Sequence, residues 1–426
     1  VTTEETQTAA PASEFGGVVG PGTGDDSRGA LPPPVPRRAP VMLVAGLLFF
    51  FGPAVAFGLG ARPHQIENRP LTSFPAVDRG WHLFGDLNTW ANDHLPLRGK
   101  AISANTHLSD SLFGQPPQYG GSASSSAIGV VAPTQTGMKA GARQYPRVLP
   151  GRDGWLFFGG DVSGACQQQV PLDQTLAGLE RFTSMVQKSG RKVVFAVAPD
   201  KSSINPEKLP ASYLGDDCMP AAKKRFWEQL AAAHITGYVD VKGPLDALHA
   251  RGVPGVWRPS DTHWAAIGAG VFAQQVVDAV RPGIWQPAEQ VPTGSSHLRG
   301  DLSVLLGTPT YDTVPGYEVR RPGVTVTSVS ISQLSSTSTQ APLIGGPTLI
   351  LGDSFLQASR PQLAPFFSDA RIVHPKAAVA SPDAVVSAVV NARTVVLEIV
   401  ERAVDAGDVP IIDQHFLARL GAALHQ

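Results

Sequence analysis

Apolar positions beyond residue 170 recur with two alternating periods. Leu172, Leu176, Leu179, Phe182 and Val186 fall at helical spacing, and Gly190 follows as a stop signal. KVVFAVA (192–198) is then a short β-branched run suited to a buried strand, and YVDV (238–241), TLIL (348–351) and TVVLEIV (394–400) repeat the pattern. Helical patterning lies between them, around 221–233, 265–280, 381–391 and 412–423. Strands alternating with helices predict an α/β fold with a mainly parallel sheet covered on both faces. From about 291 to 346 the rhythm breaks. The Val/Thr/Ser alternation of VTVTSVSIS (324–332) there predicts an inserted antiparallel β segment.

Upstream the pattern is different. Residues 1–39 are rich in Thr, Ala, Gly and Pro without apolar periodicity, which predicts a disordered tail. The stretch Pro40–Ala61 carries no charge, and about 20 apolar residues suffice to span a bilayer core, so a transmembrane helix is expected over 40–61. A cleaved export signal is the alternative, but the preceding tail is long and no small-x-small cleavage site follows. Residues 62–147 read as a membrane-proximal region followed by a Gly/Ser-rich linker, and 148–426 as the main domain.

Charged residues make up 16% of the chain and the formal net charge is -1, which argues against a nucleic-acid partner. The two cysteines, Cys166 and Cys218, lie beyond the apolar segment and form no C-x-x-C pair. Either they pair, closing a loop of about 50 residues worth roughly 4 kcal/mol, or they remain buried thiols. Export would favour the disulfide.

Three predicted strands run into polar clusters at their carboxyl ends: Asp200-Lys201, Asp353-Ser354 and Glu401-Arg402. Ligands of open parallel sheets bind at that rim. In LILGDSF (349–355), Gly352 allows a sharp exit from the strand and Ser354 can present both hydroxyl and N–H at the sheet edge. An ordinary Gly-Asp-Ser turn is the plainer reading. In SDTHW (260–264), Asp261 and His263 are two apart, so in extended backbone both side chains project to one side. The carboxylate can then orient an imidazole toward Ser354. The alternative is that Asp261 caps the next helix and His263 packs beside Trp264. His297, His374 and Asp353 have no metal-ligand spacing, so no metal and no cofactor is expected. Lys201 and Asp200 are candidates for substrate binding, with a salt bridge bracing the loop as the alternative for Lys201; Arg371 and Asn391 are candidates for a second oxyanion donor, and Glu401 and Arg402 read as a structural pair.

GDSF (352–355) and DTHW (261–264) together resemble the SGNH-hydrolase-like domain of the alginate O-acetyltransferase family, in which the Asp-x-His pair precedes the nucleophile. ENRPLTSFP (67–75), NDHLPLR (92–98), GRDGWLFFGGD (151–161), APDKSSINPEKLP (198–210) and VVLEIVERAV (395–404) match the same pattern in order. The resemblance implies an α/β/α sandwich and a triad of Ser354, His263 and Asp261. It also implies acetyl transfer onto a polysaccharide outside the cytoplasm, and a membrane-bound O-acyltransferase that delivers the acyl group. A cytoplasmic tail, a single-pass anchor and an external domain follow from it. A carbohydrate acetyl esterase with the same triad and a non-catalytic glycan-binding assembly subunit are the rival expectations.

Overall fold

In a computed structural model of the chain, the described residues are 145–425 and a few positions between 51 and 90. The expected tail, most of the apolar segment and nearly all of the region 62–147 lie outside them. Among the described residues no helix is long and apolar enough to cross a membrane.

Two short strands, β1 (Val148–Pro150) and β2 (Leu156–Phe158), pair antiparallel ahead of the main sheet. The helix Leu172–Lys188 then buries Leu172, Leu176, Leu179, Phe182 and Val186, the whole of the predicted stripe. It ends just before Gly190, whose φ of 83° suits only glycine well. Next come β3 (Lys192–Ala198) and β4 (Tyr238–Val239). The expected inserted segment holds two antiparallel pairs. One, β5 (Gln290–Arg299) with β6 (Tyr311–Val319), stands apart from the main sheet. The other, β7 (Val324–Val329) with β8 (Gln333–Ser338), joins it at one edge. The series closes with β9 (Thr348–Leu351), β10 (Ala370–Val373) and β11 (Thr394–Val400).

The seven-stranded sheet has the order β4-β3-β11-β9-β10-β8-β7. The first five strands are parallel, and β8 pairs antiparallel with β10. Every residue of β9 and β11 is buried, as are all but the first of β3. Continuous burial of this kind requires both faces to be covered. The helix Ala266–Val280 supplies part of the cover with Phe272, Ala273, Val276 and Val277, packing against β3 and against the helix Ser354–Leu363. Because β3, β11 and β9 are neighbours, the three polar clusters at their ends share one rim.

Cys166 and Cys218 are joined by a disulfide, with Cα atoms 5.8 Å apart. It links the helix Gly159–Cys166 to the start of the helix Met219–Ala232.

Candidate active site

The helix Ser354–Leu363 begins directly beyond β9. Asp353 is its N-cap, with Oδ1 accepting from the Phe355 N–H at 2.9 Å. Its second oxygen accepts from the Val400 N–H at 2.9 Å, tying the turn to the end of β11. The Asp353 N–H donates to Glu398 Oε2 at 2.9 Å. Glu398 is fully buried within β11, and burial, together with the charge of Asp353, pushes its carboxyl well above the usual range. Gly352 is needed for close approach: a Cβ there would collide with Leu356. Ser354 is left half-buried in the first turn of its helix.

The segment carrying Asp261 and His263 is a closed loop. An antiparallel bridge between Trp257 and Trp264 shuts its neck, and Trp257 Nε1 donates to the Thr262 carbonyl at 3.3 Å. Lys201 fills the loop from beneath, its Nζ donating to the carbonyls of Arg258, Pro259 and Asp261 at 3.2, 2.9 and 2.6 Å. Burial pulls this lysine down to about 8, although Asp261 and Asp301 pull the other way. Asp312 of β6 grips the loop from outside, accepting from Ser260 N at 3.1 Å and Oγ at 2.8 Å. Gly300, at the end of β5, presses so closely on Ser260 that a side chain there would clash with its hydroxyl and carbonyl.

Within the loop, Asp261 does not cap the following helix; no side-chain bond caps that helix at all. Asp261 Oδ1 instead lies 2.9 Å from His263 Nδ1 and accepts from the His263 N–H at the same distance. Its other oxygen pairs with Arg258 and accepts from the Asp301 N–H at 3.1 Å. Burial opposes ionisation of Asp261, yet the bonds and charge of His263, with Arg258, outweigh it and hold the carboxyl far below its usual range. Burial likewise opposes a charged His263, but the Asp261 hydrogen bond and the charge of Asp301 prevail and raise it.

His263 is 1% exposed, and its Nε2 has no hydrogen-bond partner. Its ring lies 5.0 Å from that of Phe355, the residue after Ser354. Trp264 also packs edge-on against Phe355 and donates from Nε1 to Ser359 Oγ at 2.8 Å, fastening the loop to the serine's helix. The two stretches predicted to meet therefore meet at one rim. His263 Nε2 makes no hydrogen bond to Ser354 in this structure.

The other expected site residues separate into two groups. Asp200 and Lys201 reach the rim but are buried in internal bonds. Asp200 accepts from Lys223 and from Arg402, both at 2.8 Å, while Lys223 also binds Glu401 at 2.9 Å. Arg402 also faces Asp161 at 3.5 Å and lies over the rings of Phe158 and Phe355. Arg371 and Asn391 do not reach the rim. Arg371 pairs with Leu349 in the early part of β9, with its side chain exposed. Asn391 ends the helix Pro382–Asn391 before β11 begins, at the opposite end of the sheet, and bonds to Ser387.

Asp301, Glu398 and Lys223 were missed in the sequence. Only Glu398 carries a signal there, as a lone acid inside an apolar strand. Potential ligand atoms of Asp261, His263 and Asp301 lie within 4.8 Å of one another. The Asp261 oxygens and Asp301 Oδ1 are already engaged by His263, Arg258, Asp301 N–H and Thr262 N–H, so the cluster is arranged to orient an imidazole rather than to cage a cation.

Comparison with known proteins places these residues in context. The family model described as the SGNH hydrolase-like domain of acetyltransferase AlgX matches residues 148–370. The probable alginate O-acetylase AlgJ of Pseudomonas syringae pv. tomato is 29% identical over 170 residues, covering 38% of this chain and 41% of that protein. Its Pseudomonas putida counterpart is 32% identical over 139 residues, covering 32% and 34%. The chain thus spans well under half the length of these curated relatives. Among solved structures, the O-acetyltransferase domain of Pseudomonas putida AlgJ aligns with 65% of this chain and 99% of its own, at 24% identity and a TM-score of 0.43. Bacillus cereus PatB1 aligns with 60% and 96%, at 14% identity and a TM-score of 0.41. Since the family model matches more than half of its length, the chain belongs to the SGNH hydrolase-like acetyltransferase family of AlgX.

Proposed function

We propose that the chain is a serine-dependent O-acetyltransferase that works through an acyl-enzyme on Ser354. The observation that carries this reading is a buried Asp261–His263 pair whose second imidazole nitrogen is unpartnered and whose ring packs beside the residue following Ser354. In the first half-reaction Nε2 of His263 takes the Ser354 proton as Oγ attacks the donor's acetyl carbonyl. The N–H of Ser354 stabilises the oxyanion, a contact worth about 3 kcal/mol. The leaving group departs with the proton from His263. In the second, His263 removes a proton from a sugar hydroxyl, which attacks the acyl-serine. The acetyl group moves to the sugar and the proton returns to Ser354. Base catalysis of this kind contributes about 10²–10⁴-fold.

The relatives are named for alginate, so the proposed acceptor is a polysaccharide outside the cytoplasm. The proposed donor route is a membrane-bound O-acyltransferase, with this chain held at the membrane by the apolar segment 40–61 as a single-pass protein. The disulfide supports an oxidising compartment for the main domain.

The test is to incubate the full chain with an activated acetyl ester and candidate oligosaccharides. Mass spectrometry should find one acetyl group on the peptide containing Ser354, followed by acetylated sugar. Ser354→Ala should lower turnover by about three orders of magnitude or more. Acetate without acetylated sugar would replace the transferase with an esterase. Unchanged acyl turnover in Ser354→Ala would leave only a non-catalytic glycan-binding role.

A further inference from the structure

We infer that Asp301 is a second carboxylate on the Nδ1 side of His263, a positioning residue that Asp261 shares its task with. The inference rests on the catalytic reading of His263 and deepens it.

Asp301 follows Gly300 at the end of β5, forty positions beyond Asp261, and opens the short helix Asp301–Leu305. Its Oδ2 lies 3.4 Å from His263 Nδ1, on which Asp261 Oδ1 already sits at 2.9 Å. The two aspartates are also bonded to each other's segments. Asp301 Oδ1 accepts from the Thr262 N–H at 2.7 Å, and the Asp301 N–H donates to Asp261 Oδ2 at 3.1 Å. The loop and the hairpin end thus hold each other in register about the imidazole. The Asp301 side chain is 11% exposed, and its Oδ2 is buried without a hydrogen bond. An oxygen in that condition would be a liability in a purely structural residue.

Two acids beside one imidazole have a chemical use. When His263 takes up a proton, the imidazolium forms with two carboxylates facing its Nδ1. One of them is bonded and ionised; the other is held by a single backbone N–H. Burial, then the charge of Asp261, raises the carboxyl of Asp301. The other charged groups facing this pair are Arg258 on the same loop, Lys201 beyond β3 and Arg402 beyond β11. Removing the negative charge of Asp301 takes away one of the influences that raise His263, so the histidine should lose its proton at lower pH.

The experiment measures kcat/KM against pH for the full chain with 4-nitrophenyl acetate, in the wild type and in Asp301→Asn, Asp301→Ser and Asp301→Glu. For a folded Asn or Ser variant, the acid limb of the profile should move about half a unit to one unit lower, with plateau kcat reduced about tenfold. Asp301→Glu, which keeps the charge, should hold the limb in place. An acid limb unmoved in a folded Asn or Ser variant would overturn the inference. So would failure of both charge-free variants to fold while Asp301→Glu folds, since the acid would then be structural. Ser354→Ala separates the two levels. If that variant still turns over ester, the catalytic reading itself fails. If it is inert while the limb stays put, only the role of Asp301 fails.

Discussion

Lys201 shows how much a single side chain can hold at this rim. It sits directly after β3 as expected, but its ammonium closes on three loop carbonyls and lies over the rings of Trp155 and Phe157. Lys201→Met has nearly the same shape and no donors, so one buried and two part-buried carbonyls lose their partner. The expected outcome is a loss of about 1–3 kcal/mol in thermal or denaturant unfolding. Ester turnover should fall about 10–100-fold as Asp261 and His263 drift from register. Wild-type turnover in that variant would make the loop's position independent of the lysine. The same residue shows the limit of sequence reading at this scale. Lys201 and Asp200 were legible as rim residues because they follow an obvious strand, yet whether they face inward or outward depends on a loop some 60 positions away. Asp301 was not legible at all, since an acid at the end of a polar hairpin looks like any solvated turn.

At the level of elements, short buried strands were the most readable feature. KVVFAVA, TLIL and TVVLEIV occupy the expected residues because a strand buried on both faces must be continuously apolar. β10 escaped notice: its four residues, ARIV, include an exposed arginine, and its place beside β9 comes from pairing rather than pattern. Without it, nothing in the sequence showed that Arg371 lies away from the rim. The pair of β5 and β6 falls within the expected inserted antiparallel segment, but nothing in its pattern showed that its end braces the Asp261–His263 loop through Gly300, Asp301 and Asp312. Gly300→Ala tests that bracing. The added methyl group has to displace Ser260, at a cost of about 1–3 kcal/mol. A lower melting temperature with a reduced rate of ester hydrolysis is expected. Full activity in the alanine variant would mean that the hairpin can withdraw without disturbing Asp261.

At the scale of the whole molecule, a buried acid one turn beyond Glu401 gives the stability of the fold a dependence on pH. Asp405 is 1% exposed; Gln168 donates to Oδ1 at 2.7 Å, and Oδ2 has no partner. Burial raises this carboxyl to about 7, above its value in the unfolded chain. Below about pH 4 both states hold the proton and stability is unaffected. Between about 4 and 7 the unfolded chain ionises first, so the fold loses stability as pH rises. Asp405→Asn keeps an acceptor for Gln168 and abolishes the titration. It should raise the melting temperature at about pH 8 and change it little at about pH 4. An equal shift at both would assign the effect to packing.

The disulfide carries a consequence for the charged cluster beneath the site. Asp161 stands five positions before Cys166, and Lys223 five after Cys218, so the bridge draws together two of the segments whose charges converge on Asp200 and Arg402. Desolvating that many ions is unfavourable until all have found their partners. In the oxidised chain two contributors stay tethered even when unfolded, so fewer independent encounters remain to be won from chain entropy. A covalent link placed outside the Asp261–His263 loop thereby helps make a dry, ion-rich foundation attainable beneath it.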